Sequence, residues 1–477
     1  MSRSLLLTLV VLPALLAPGS PSRAAATKGY VLTTDYASGT LGVVDLATHA
    51  VTPDVAEVSP DPVARCYRGR VYVVNRFGYD NVQVIDPAQG YATVLQFSVG
   101  NGTNPQDIAF ASPSKAYVSR LGSPDLLIVD PSTGSPLGVI PLAAWADADG
   151  NPEAAHLAVV GDLLFVALER LTNFAPADTG LVVVVDMRAD TVYDADPAVP
   201  GVQAVRLAGM NPGCEFARPA PGTAGEATHL YLGCSGRWGV LDGGVDDIVV
   251  PAPAESARGP IRSAGFVITE AALGGDVVDV VAGQGGHPYA IVSDAAYNTS
   301  LVSWDPGTGA VLATLYAPGG YSLSGAALDG RGELYVCNSS FTAPGLLVFD
   351  TAGDTLVAGP LATGLPPIQV AFDPDSVAAP PAGPGGDAVA IGRPAPNPAR
   401  VSARLLLVLA GPATVRVEVF DLSGRKVRTL ADGPFVSGAT PLDWDLTDGE
   451  GRRVAAGVYL LRAMAAGKSV TRRLVVL

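Results

Sequence analysis

The sequence predicts an all-β chain, a seven-bladed β-propeller followed by a small β-sandwich. Three observations carry this. Gly and Pro number 55 and 40 of the 477 residues, well above ordinary usage, which favours short strands and tight turns over helices. A short apolar strand centred on an aromatic recurs at Tyr30, Tyr72, Tyr117, Phe165, Tyr231, Tyr289 and Tyr335, with spacings of 42 to 66 residues. A repeat of roughly 40–50 residues made of several strands is the pattern of a propeller blade. Finally, a Pro- and Gly-rich stretch, AAPPAGPGGDAVAIG over 378–392, separates these repeats from a C-terminal segment with a strand pattern of its own.

The first element, residues 1–26, is read as a secretory signal peptide. Arg3 opens it, an apolar run covers 5–17, and Ala24 and Ala26 supply the small residues before a cleavage site after Ala26, with Ala24 as the alternative. The run is too short to span a bilayer, which takes about 20 residues, and it holds no Cys for a lipid anchor. The mature chain is therefore expected to be exported and to lack a transmembrane segment. Its activity must then proceed without cytoplasmic ATP or NADH.

The propeller is expected over 27–377. After each aromatic strand comes a second apolar strand ending in Asp: Asp45, Asp86, Asp130, Asp186, Asp242, Asp305 and Asp350. Several continue into turns such as DPAQG, DPSTG and DPGTG. An Asp there holds the turn by accepting the backbone N–H two residues on, so these carboxylates are read as turn formers spread around a ring. The third and fourth repeats carry insertions and the fifth is the most degenerate. An inner strand is expected before each aromatic strand, as in PQDIAF at Pro105, AAHLAVV at Ala154 and IQVAFDPD at Ile368. The last has no aromatic strand after it, and Tyr30 has no inner strand before it. The two halves complete each other, so the final strand should close blade 1 and remove the open sheet edge. The segments KAYVSRLGSPDLLIVDPSTG from Lys115 and ELYVCNSS from Glu333 resemble the YVTN family of propeller repeats. That resemblance covers about 350 residues and implies an architecture rather than an activity.

Beyond the linker, Val415, Val417 and Val419 alternate with Arg416, Glu418 and Phe420, the mark of a half-buried strand. GVYLLRAMA from Gly457 and SVTRRLVVL from Ser469 read as a closing hairpin of a β-sandwich. The motifs APNPA at Ala395, VFDLSGRKVRTL at Val419 and LDWDLTDGEGRRVAAGVYLLR at Leu442 resemble the FlgD-type immunoglobulin-like module at the C-terminus of type IX secretion substrates. The family commonly has Gly where this chain has Leu446. The resemblance implies that 393–477 is an immunoglobulin-like sorting module, that its partner is the type IX secretion machinery, and that the protein passes through the periplasm to the cell surface or the medium.

The formal charge of −15 divides unevenly, −23 over 27–392 and +6 over 393–477. So acidic a chain does not suit non-specific nucleic-acid binding. Aligned inner strands place Asp107, His156 and Gln369 at corresponding positions near one mouth of the central channel, and Glu215 joins them as a candidate binding set. Asp147, Asp149, Asn151 and Glu153 resemble part of a calcium loop without its complete spacing, which makes calcium the one ion the sequence suggests. Cys214 and Cys234 lie symmetrically about a turn on adjacent strands and are expected to form a disulfide in an exported chain. Cys66 and Cys337 are expected to be buried free thiols. No CxxC, GxSxG, P-loop or HExxH occurs. The expected function is that of an exported binding or scaffold propeller with a protein or glycan ligand. The alternative is a propeller enzyme, lactonase-like with a metal or dehydrogenase-like with a quinone, working at the channel mouth.

Overall fold

A computed structural model of the chain describes residues 27–219, 226–252, 259–283, 287–373, 389–391, 399–409, 413–421, 425–435, 438–465 and 468–477. The expected signal peptide lies outside them. Chain contacts divide the protein into two compact units, 1–377 and 378–477. Among the described residues no helix is long and apolar enough to cross a membrane.

The first unit is built from antiparallel sheets that follow one another along the chain. Blade 2 runs outward as Pro62–Tyr67, Arg70–Asn75, Asn81–Asp86 and Ala92–Ser98. Blades 3, 6 and 7 repeat this order over Pro105–Pro141, Asp276–Tyr316 and Leu323–Leu361. Blade 4 begins with Ala154–Val160 and Leu163–Leu168, and its third strand, Thr179–Asp186, pairs with both Thr191–Tyr193 and Val205–Met210. Blade 1 is assembled from both ends of the unit. Its inner strand is Pro367–Phe372, paired with Lys28–Thr34 through Gly29↔Phe372 to Leu32↔Gln369. The chain's last propeller strand thus closes the ring.

Seven apolar clusters lie one between each neighbouring pair of blades, from Tyr30, Leu32, Ala64 and Val73 between blades 1 and 2 to Val31, Val44, Tyr335 and Val348 between blades 7 and 1. The second strand of a blade feeds two of them. In Leu163–Leu168 every residue is buried. Leu164, Val166 and Leu168 face blade 3, and Leu163, Phe165 and Ala167 face blade 5. This two-sided burial is why the aromatic strands read as continuous apolar runs.

The Asp residues at strand ends mostly hold turns, as Asp45, Asp130 and Asp305 do by accepting the N–H of Ala47, Ser132 and Gly307. Asp242 is the exception. The third strand of blade 5 is Gly244–Val250, and Asp242 stands in the loop before it, accepting the N–H of Arg237. The apolar run ending at Asp242 imitates a strand end, whereas the true strand carries Asp246 and Asp247 in its interior. Blade 5 is irregular on its inner side as well. Among the described residues its innermost segment pairs with the aromatic strand through a single bridge, Ala217↔Tyr231.

That irregularity overturns the expected disulfide. Cys214 and Cys234 are free thiols, as are Cys66 and Cys337. Cys234 packs with Leu230 and Leu232 towards blade 4, and Cys214 packs with Ala217 and Tyr231 towards blade 6. Cys214 shares its face with Ala217, three residues on, so strand alternation breaks between them and turns Cys214 away from its expected partner.

The second unit is a two-sheet sandwich. Val389–Ile391, Ala403–Leu409 and Gly438–Trp444 form one sheet, and Lys426–Phe435, Ala413–Asp421, Gly457–Ala465 and Lys468–Val476 the other. Both sheets contribute to one core that includes Leu405, Leu407, Val415, Val417, Val419, Trp444 and Leu461. The strand Val389–Ile391 falls within the stretch read as linker. It pairs antiparallel with Leu407–Leu409.

Candidate functional site

The inner strands start at one face of the propeller, and each brings a polar side chain to the channel within its first residues. In most blades the strand bulges there, as between Pro105 and Asp107, between Ala154 and Leu157, and between Val277 and Asp279. The innermost strand is a sheet edge, so N–H groups that face the channel have no ladder partner, and a side chain from the preceding blade satisfies one each in blades 2, 4 and 7. Gln369 of blade 1 accepts the N–H of Ala64 in blade 2 at 2.7 Å. Asp107 of blade 3 accepts that of Leu157 in blade 4 at 3.0 Å. Asp279 of blade 6 accepts that of Ala326 in blade 7 at 2.8 Å.

Other side chains bridge the remaining gaps. Arg65 of blade 2 grips Asp107 of blade 3 through two nitrogens, at 2.8 and 3.0 Å. His156 of blade 4 bonds the Gly213 carbonyl of blade 5 through Nε2 at 3.0 Å. Because that ring nitrogen donates, Nδ1 is the unprotonated one. The Cys214 thiol donates to the Val278 carbonyl of blade 6 at 3.5 Å. Ser324 of blade 7 donates to the Pro367 carbonyl of blade 1 at 3.1 Å. Every blade is thereby tied to its successor, and the ties form a closed girdle around the channel.

The structure brings Asp107, His156, Glu215 and Gln369 to this girdle. Glu215 sits across the channel, where it accepts from Arg65 Nη1 at 2.9 Å and from Gln369 Nε2. Burial pushes the Glu215 carboxyl up, but the Arg65 guanidinium, with hydrogen bonds from Arg65 and Gln369, outweighs it and holds the pKa below the ordinary carboxylate value. Burial depresses the His156 pKa, which keeps the ring neutral. Its Nδ1 is buried, accepts no hydrogen bond from the described residues and stands 3.9 Å from Asp107 Oδ2.

Sequence reasoning missed Arg65, the hub of the set, and Asp279, whose carboxyl is pushed up to about 7 by burial and then by the Glu215 charge. Asp279 pairs with Ile291, two residues past Tyr289, just as Asp107 pairs with Ser119, two past Tyr117. Counting from the aromatic strand would have found it; counting from the start of the inner strand does not, because the bulge absorbs a residue. A cavity of about 340 Å³ at the mouth is lined by His156, Glu215 and Gln369. A second, of about 410 Å³, is lined by Arg65, Glu215 and Asp279.

The carboxylates of the calcium candidates are engaged in local hydrogen bonds. Asp147 accepts from Thr172 Oγ1 and the Asp149 N–H, Asp149 from the Asn151 N–H, and Glu153 from the Leu171 N–H. Among the described residues no three His, Cys, Asp or Glu stand together as a set that could hold a metal ion.

No family model and no curated protein matches the chain. Solved structures resemble it at low identity. One is a putative 6-phosphogluconolactonase from Bacteroides fragilis, with 14% identity, 74% of this chain and 99% of that one covered, and a TM-score of 0.49. Another is PorZ, a surface component of the type-IX secretion system of Porphyromonas gingivalis, with 14% identity over 98% of this chain and a TM-score of 0.41. This chain spans 61% of the length of PorZ. A third is AztD from Citrobacter koseri, with 13% identity, 88% and 99% covered, and a TM-score of 0.41. Likeness at this level does not extend to activity.

Proposed function

We propose that this protein is an exported propeller that binds a protein or glycan ligand, and that its C-terminal unit is an immunoglobulin-like address read by the type IX secretion machinery. The observation that carries the binding role is the girdle. A hydrolytic or redox propeller needs carboxylates, amides or histidines left free to hold a metal or cofactor. Here Asp107 already accepts from Arg65 twice and from the N–H groups of Ile108 and Leu157. Gln369 is used at both ends. The Arg65 guanidinium occupies the place between Asp107 and Glu215 that a cation would take. The side chains at the mouth are thus committed to holding blades together.

The enzyme reading keeps one specific support, the His156 Nδ1 at the cavity, which accepts no hydrogen bond from the described residues. Metal analysis of the purified full-length protein separates the two. The binding role expects no stoichiometric metal and no lactone hydrolysis, whereas a bound metal lost in His156→Ala favours the enzyme.

The sorting role rests on the sequence motifs of 393–477. Its test is fractionation of a type IX-competent host expressing the chain without those residues. The truncated protein should stop in the periplasm. Equal amounts of truncated and intact protein at the surface or in the medium would remove the sorting role.

A further inference from the structure

Antiparallel pairing puts the loop between the second and third strands of every blade on the face where the inner strands begin. Six of the seven loops carry an exposed aromatic: Tyr36, Phe77, Phe174, Trp238, Tyr297 and Phe341 in blades 1, 2, 4, 5, 6 and 7. The remaining large exposed aromatics, Tyr79 and Tyr321, lie in loops of this same face. Rings left in water in the equivalent loop of six blades are not a by-product of packing.

The backbone adds a second observation. Tyr36, Phe77, Phe174 and Tyr297 all have positive φ, at 67°, 30°, 61° and 60°, a region that bulky side chains seldom adopt. Phe174 is the clearest case. Leu171–Thr172 and Ala175–Pro176 form a small hairpin whose two-residue turn is Asn173–Phe174, both left-handed. Such a turn ordinarily takes Asn-Gly. The chain puts a Phe, 82% exposed, where Gly would be easiest. Local folding does not explain that choice, which points to a ligand.

Blade 3, the one without an aromatic, supplies a floor. Its loop is short and tightly packed, and a Cβ on Gly122 would come within 2.8 Å of the Gly102 carbonyl oxygen. Above it lies a cavity of about 550 Å³, with Phe77 of blade 2 and Phe174 of blade 4 in its lining. Between them the lining carries Asn104, Asp149, Asn151 and Glu153. Asn151 Oδ1 is buried and accepts no hydrogen bond from the described residues. Asn104 Oδ1 accepts the Phe77 N–H at 3.1 Å and so fixes that ring's loop.

We infer that this cavity binds a segment of a neutral polysaccharide. The inference rests on the proposed binding role and names its ligand class. A pyranose offers a C–H face to an aromatic ring and hydroxyl donors to carboxylate and amide acceptors, and the cavity supplies both. The centre of a protein interface is poor in charged groups, whereas this floor holds Asp149 and Glu153. The propeller is strongly acidic, so an anionic polysaccharide would be repelled.

The test is affinity electrophoresis of the full-length protein in gels containing mixed-linkage β-glucan, xyloglucan, galactomannan or amylopectin, with polygalacturonate as the anionic comparison. The protein should be retarded by at least one neutral polysaccharide and not by polygalacturonate. Phe174→Gly and Phe77→Ala should each weaken that binding tenfold or more. Phe174→Gly should melt at or above the wild-type temperature, because Gly suits the turn. No retardation in any neutral gel overturns the inference, as does retardation by polygalacturonate alone. Neutral-glycan binding that survives both substitutions overturns this site while leaving the proposed binding role in place. A protein ligand whose binding alone is lost in the two variants overturns the glycan assignment.

Discussion

The two units bury their apolar residues in opposite ways. A propeller strand such as Leu163–Leu168 is buried on both faces, and each interblade cluster needs the blades on either side of it. In the sandwich, Val415, Val417 and Val419 point into one core while Arg416 stays exposed, and a single cluster serves the whole unit. The ring therefore depends on every member being present, and the sandwich on its centre. Cooperativity in the first comes from closure and in the second from packing density.

Removing residues 368–375 should break the comparison most severely. Without that strand blades 7 and 1 lose their shared inner edge, and the propeller should show no cooperative melting transition by calorimetry, while the sandwich keeps its own. A sharp propeller transition in the truncated protein would show that closure is dispensable. Next in size is Trp444→Ala. Trp444 is fully buried, packs edge-on against Tyr459 at 5.3 Å between ring centres, and donates from Nε1 to the Thr447 carbonyl at 2.9 Å. Its loss should destabilise the sandwich by about 3–5 kcal/mol and leave the propeller transition in place.

The smallest effect separates the units by pH. Burial raises Glu153, Glu169, Glu270 and Asp279 to about 7, and all four belong to the propeller. Their folded-state values exceed the unfolded ones, so the folded ring holds more protons across this window. That stability is present at low pH and is lost as pH rises through about 7. The propeller melting temperature should fall by roughly 3–6 °C between pH 5 and pH 8. In the sandwich the shifted carboxyls, Asp445 and Asp448, are lowered by hydrogen bonds, chiefly from Thr447 and from the Arg452 N–H. Their contribution is present above the ordinary carboxylate range and is lost only below it, so the sandwich should melt at the same temperature at pH 5 and pH 8. Parallel slopes for the two transitions would contradict this assignment.

Much of the ring was legible because burial on both faces forces an apolar run with an aromatic at its centre, and because the first and last elements each lacked the other's half. Blade 5 was not, since its third strand carries Asp246 and Asp247 and its inner segment keeps one bridge. The expected pairing of Cys214 with Cys234 failed because strand alternation breaks between Cys214 and Ala217, which moves the thiol to the other face. At the channel, Asp107, His156 and Gln369 fall at corresponding positions, but Arg65 stands opposite the aromatic Tyr72 itself on a strand of unbroken register, and Asp279 sits where a bulge shifts the count. The exposed aromatics were open to sequence reading as a second ring, five to nine residues after the first in six repeats. Loops judged by composition alone hide such a pattern.

The girdle also has a direction. Asp107 of blade 3 serves blade 4, and Asp279 of blade 6 serves blade 7, so each waits for a segment that leaves the ribosome after it. Gln369 reverses this order. It is made last and fastens onto Ala64, made some 300 residues earlier. A growing chain can therefore stack its blades in sequence but cannot lock them, and the final fastening falls to the end of the propeller. On the export proposed above, the chain crosses its first membrane unfolded, and the clasp then enters after every blade it fastens.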